Sequence, residues 1–239
     1  METHAHDLHK APGHGWKHYL FEFLMLFLAV FCGFLAENIR EHRMEDEKSD
    51  QYIRSFCEDL RTDTANLNWQ IADLKLQDNA LNKIFDCYDS ITGKASSSDC
   101  LKEIIPNSEG FNDFIYTDRT IQQLKYAGGL RLIHDEAIVD SIIKYDAEVR
   151  TLQIHQGVLE NLQQICVNDH NSMIAFIPLH NLRDPKINSD QMLLTNDKRE
   201  LNKYFNEIYR FKLGCLGQMV LLERLKDRAT RFLIFVRDK

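Results

Sequence analysis

Apolar positions along this chain fall into two regimes. The first is a continuous run from Tyr19 to Ala36 in which Glu22 is the single charged residue. A helix of these eighteen residues spans roughly 27 Å, close to the hydrocarbon thickness of a bilayer. The run is apolar all round, so no face of it suits water. Trp16 and Tyr19 stand where interfacial aromatics belong, and Glu37, Arg40 and Glu41 close the far end. A cleaved leader fits less well. No basic cluster opens the run, and Phe34 stands where a small residue would precede a cut. The pattern therefore predicts one transmembrane helix over 19–36, preceded by an arm over 1–18.

The second regime is a heptad. Ile53, Leu60, Leu67, Leu74, Leu81 and Tyr88 recur in strict sevens. A second row reads Cys57, Thr64, Ile71 and Phe85, with Asp78 interrupting it. That is a helical seam. No helix breaker intervenes between the apolar run and Thr92-Gly93, so a long juxtamembrane helix is predicted over 37–91. Its stretch Glu41–Asp50 is densely charged and reads as solvated helix or hinge. The seam is expected to pack against later helices of the same chain.

Those helices lie in 92–239, the remainder of the soluble domain. Thr92–Asp99 is a loop by composition. A short helix is predicted over Arg119–Tyr126, capped by Thr117 or Asp118 and ended by Gly128-Gly129. A long helix starts at Asp135 or a neighbour and carries Ile138, Ile142, Tyr145, Val149, Leu152, Leu159 and Cys166 on one side. The last helix follows a cap at Thr195 or Asn196. Its apolar positions are Leu201, Phe205, Ile208, Phe211, Cys215, Met219, Leu222, Leu225, Ala229 and Leu233. The expected fold class is all-α: one N-terminal transmembrane helix continuing into a long helix, plus an antiparallel, coiled-coil-like helical bundle. Only 10 Gly and 4 Pro in 239 residues agree with long helices.

Charge narrows the partners. A formal net charge of -7 without a basic stripe argues against nucleic acid. None of the six cysteines forms a CxxC pair, which removes zinc-ribbon and thioredoxin-type motifs. Cys87 and Cys100 flank the Gly/Ser loop and can bridge in an oxidising compartment, although free buried thiols are the simpler expectation. Nucleophile-elbow, zincin, phosphate-loop, dinucleotide-binding and EF-hand motifs are all missing, and no small-molecule substrate is indicated. The expectation is a protein that is not an enzyme.

Two sets of residues remain as candidates. Within the apolar run, Glu22, Ala29, Gly33 and Ala36 are spaced seven, four and three apart and so share one helical face. Ala29 and Gly33 form a small-xxx-small pair that lets two helices approach closely, and a carboxyl is cheapest to keep on a face that meets other helices. In the arm, His4, His6 and His9 place three imidazoles within six residues, a donor set for a divalent metal. A solvated terminus that touches lipid headgroups is the plainer reading.

The segment Trp16–Glu37 resembles a group of uncharacterised single-pass membrane proteins abundant in Bacteroidetes, whose N-termini are often histidine-rich. Tyr52–Thr64 and Leu124–Ile133 resemble that group too. The resemblance implies no activity and transfers no functional residue. Basic residues flank the apolar run almost equally on both sides in this chain. Relatives usually carry a more basic N-terminal flank, which implies a cytoplasmic N-terminus, an inner-membrane anchor and a periplasmic helical domain. The expected role is structural or interactive: a helical module tethered to lipid that assembles with itself or with a larger envelope complex. The alternative is an ion- or metal-responsive assembly using Glu22 and the N-terminal histidines.

Overall fold

The computed structural model describes residues 15–89, 112–175, 194–195 and 197–238. Among the described residues there are four α-helices: α1 (Trp16–Asp86), α2 (Arg119–Tyr126), α3 (Glu136–Met173) and α4 (Lys198–Arg237). A short 3-10 helix, Gly129–Leu132, follows α2, and there is no β-strand among the described residues. The chain divides into two compact units, Met1–Gln51 and Tyr52–Lys239, which α1 traverses as one continuous helix of 71 residues.

In the first unit, α1 is long and apolar enough to cross a membrane, and that apolar window is 0% buried within the protein. Its large side chains from Trp16 to Ile39 are all exposed. Phe23, Phe27 and Phe31 stack in succession, with ring centroids 6.3 and 5.9 Å apart. The charged stretch Glu41–Asp50 is helical.

The second unit is built on three long helices. The heptad row of α1 lies in the core: Leu60, Leu67, Leu74 and Leu81 are buried, with Ile53 and Tyr88 packed at its margins. It meets the predicted rows of α3 (Ile138, Ile142, Tyr145, Val149, Leu152, Leu159) and of α4 (Leu201, Phe205, Ile208, Phe211, Leu222, Leu225). Each fully buried aliphatic side chain contributes about 1.5–3 kcal/mol by leaving water. The seam therefore packs within the chain, as its pattern requires.

Pairings fix the directions. α4 runs antiparallel to α1, since Phe232 packs on Phe56, Tyr209 on Phe85 and Phe205 on Tyr88. It runs antiparallel to α3 as well, since Arg228 bonds Glu148, Gln218 bonds His155 and Lys203 bonds Asp169. α1 and α3 are consequently parallel to each other. The chain comes back along α1 before α3 begins. Asn112 lies against Gln70 and Asp73, Thr117 against Asp63 and Thr120 against Asp59. The segment 112–118 is thus an extended strap descending α1.

Local chemistry explains the helix ends. Asp135 caps α3, its Oδ1 accepting from Ala137 N at 2.9 Å and Ile138 N at 3.3 Å. Asp197 caps α4 by accepting from Arg199 N at 2.7 Å, so the start lies beyond the predicted Thr195. Thr195 instead accepts from Asp197 N, and Asn196 lies outside the described residues. α2 spans the predicted residues and Asp118 stands at its N-cap, but no side chain of its own segment makes the capping hydrogen bond. Asp59 of α1 supplies that acceptor, its Oδ2 taking Thr120 N at 3.0 Å. A carboxylate at a helix N-terminus also meets the positive end of the dipole. Gly128 adopts a left-handed conformation after α2, with φ of 70°, which a glycine does without strain. The C-terminal apolar run continues α4 and docks Phe232 onto Phe56, ring centroids 5.2 Å apart.

Candidate functional site

Glu22, Ala29, Gly33 and Ala36 all lie on α1 within its exposed apolar segment. A methyl group added at Gly33 would meet nothing within 4 Å, so within one chain the small residue serves no packing need. Glu22 is met by His18, one turn earlier, with Nε2 and Oε1 3.1 Å apart. That contact was not evident from the spacing of apolar residues, although an i,i+4 His–Glu pair is readable in hindsight. His4, His6 and His9 lie outside the described residues. Among the described residues, no group of three or more metal-ligating side chains converges.

The second unit holds a polar cluster that no row of apolar positions marks. The row three residues after each first-row position reads Phe56, Asp63, Gln70, Gln77 and Ile84. Its ends are apolar and its middle is polar, yet Asp63 is 0% exposed and Gln70 1%. The strap and α3 satisfy these groups. Asp63 Oδ1 accepts from Thr117 N at 2.9 Å, and Oδ2 accepts from the Tyr145 hydroxyl at 2.8 Å. Four residues earlier, Asp59 Oδ1 accepts from Arg119 at 2.7 Å while Oδ2 takes Thr120 N. Asp146 receives Lys125 at 3.1 Å and also Arg150, tying α2 to α3. Tyr116 packs beside Tyr145, ring centroids 6.0 Å apart.

Burial dominates the electrostatics here. It raises the Asp63 carboxyl above its usual range, while the bonds from Thr117 and Tyr145 pull the other way. Burial beside Asp63 likewise holds the Tyr145 hydroxyl protonated far above the ordinary phenol range. All four oxygens of Asp59 and Asp63 are engaged by protein donors. Such carboxylates hold the strap and α2 against the bundle. A buried carboxylate without those donors would carry a large desolvation cost, so the cluster also makes the strap necessary.

The cysteines divide. Cys57, Cys166 and Cys215 are buried free thiols and Cys32 is an exposed one on α1. Cys87, just past the end of α1, is disulfide-bonded, which departs from the expectation of free thiols throughout. Cys100 lies outside the described residues. No protein-family model, curated protein or solved structure matches the chain.

Proposed function

We propose that this protein is a membrane-tethered structural or interaction module. Its apolar α1 segment anchors it in lipid and meets a second copy or a larger envelope complex, and its helical domain presents a fixed surface outside the bilayer. The observation that carries the reading is a fully exposed apolar helix segment with Glu22, Ala29, Gly33 and Ala36 along one face. Self-association buries a carboxyl-bearing face that lipid would penalise, and the small residues let the backbones approach.

The disulfide of Cys87 supports placing the helical domain in an oxidising compartment, in keeping with a periplasmic domain and a cytoplasmic N-terminus. Crosslinking in native membranes tests the anchor contact. Wild-type chain should give a dimer or higher species that Gly33→Ile diminishes, and an unchanged ladder would remove the proposal.

The contact between His18 and Glu22 favours a second reading, an ion- or metal-responsive assembly in which several anchors bring Glu22 together beneath the histidine arm. Conductance that depends on Glu22 and is abolished by Glu22→Gln, or a change of oligomer on zinc titration, would support it over a purely structural role.

A further inference from the structure

A cleft between α1 and the C-terminal turns of α4 has a composition unlike the rest of this acidic chain. It measures about 310 Å³ and is lined by Arg54, Cys57, Glu58, Arg61, Leu233, Val236 and Arg237. Arg54 and Arg61 are two helical turns apart on α1, hence on one face and about 10.5 Å apart along the axis. Arg237 approaches from α4. Three arginines thus line the cleft with Glu58 as its one acidic lining residue, in a chain whose net charge is -7.

Their partners are few. Arg237 pairs with its neighbour Asp238 at 3.1 Å, and Glu58 lies 4.0 Å from Arg119, outside the cleft. Arg54 and Arg61 have no ion pair among the described residues. Leu233 and Val236 are partly buried against the core and give the cleft an apolar side. Burial holds the Cys57 thiol above its ordinary range, so the sulfur adds no negative charge. Against the three guanidinium groups stand only Glu58 in the lining and Asp238 beside Arg237, so positive charge is left over, and an oxyanion relieves the repulsion. Guanidinium forks match phosphate oxygens two at a time, and the volume suits a small ligand.

We infer that this cleft binds a phosphate-class oxyanion, with Arg54, Arg61 and Arg237 holding the anionic group and Leu233 with Val236 taking an attached apolar portion. This goes beyond the anchoring role and does not depend on self-association. The oxyanion is either a free phosphate compound or the head of an amphiphile, and two probes separate these sources.

Full-length protein in a neutral maltoside detergent would be titrated calorimetrically with inorganic phosphate and, separately, with monododecyl phosphate. Saturable one-site binding of either probe is expected. Binding of phosphate alone points to a free compound. Binding of monododecyl phosphate at least tenfold tighter than phosphate points to an amphiphile. The double variant Arg54→Gln, Arg61→Gln should weaken the bound probe at least tenfold while leaving helicity and thermal midpoint unchanged, because both side chains are exposed. Leu233→Asn should weaken only the dodecyl probe. Absence of saturable binding for both probes, or affinity unchanged in the double variant, would overturn the assignment.

Discussion

The Tyr145 hydroxyl donates to Asp63 Oδ2 at 2.8 Å, and both residues are closed off from solvent. This bond joins α3 to α1, and the other oxygen of the same carboxylate holds the strap through Thr117 N. Parallel helices cannot be joined by a short turn, so a long return segment is required and must be fixed somewhere. Asp63 fixes it at Thr117, between the holds that Gln70 and Asp73 place on Asn112 and Asp59 on Thr120.

Removing Asp63 should therefore cost more than removing one of its two hydrogen-bond partners. Asp63→Ala strands the Tyr145 hydroxyl and Thr117 N and is expected to destabilise the domain by about 3 kcal/mol, whereas Tyr145→Phe should cost about 1–2 kcal/mol. Chemical denaturation of the two single variants and the double variant measures this, and the double should fall well short of the sum.

The same carboxyl sets a pH dependence. Because burial raises Asp63 in the folded state above its ordinary 3.8, the folded chain holds that proton more tightly than the unfolded chain does. Its contribution is then fully present below that value and declines as pH climbs through the raised pKa. The stability gap between wild type and Asp63→Ala should be widest in acid and narrow toward neutral pH. A gap that widens with pH would contradict this assignment.

One substitution should act with opposite sign at two glycines. Gly157 lies in the exposed interior of α3 with nothing within 4 Å of an added methyl, so Gly157→Ala should stabilise by about 1 kcal/mol through helix propensity. Gly128 has φ of 70°, so Gly128→Ala should cost about 1 kcal/mol. Thermal melts of both variants provide the check.

Thiol reactivity should follow burial. Burial pushes Cys166 and Cys215 each up to about 12, leaving roughly one thiolate in ten thousand at pH 8. Maleimide should label neither in the native protein and both after denaturation, as mass spectrometry of peptides would show. Rapid native labelling of Cys215 would mean that the α4 seam opens.

How much of this was legible in sequence depends on the kind of residue asked. The apolar run at 19–36, the sevens of Leu60 to Leu81 and the start of α3 at Asp135 were all readable. Burial of apolar side chains imposes a periodicity, and a capping side chain sits next to the backbone it serves. Asp63, Gln70 and Asp59 were not readable as core residues. A polar side chain is buried only when a partner is supplied, and Thr117 and Tyr145 are 54 and 82 residues away along the chain. The N-cap position of α2, Asp118, was readable, but its capping acceptor was not, because that comes from another helix. The arginine cleft belongs with them, since Arg237 and Arg54 stand at opposite ends of the folded unit's sequence. Local pattern determined that this chain makes long helices, one of them fit for lipid. Tertiary structure decided which helices run parallel, which carboxylates are inside and where positive charge gathers, because hydrogen bonds and ion pairs act across space and leave no period in the sequence.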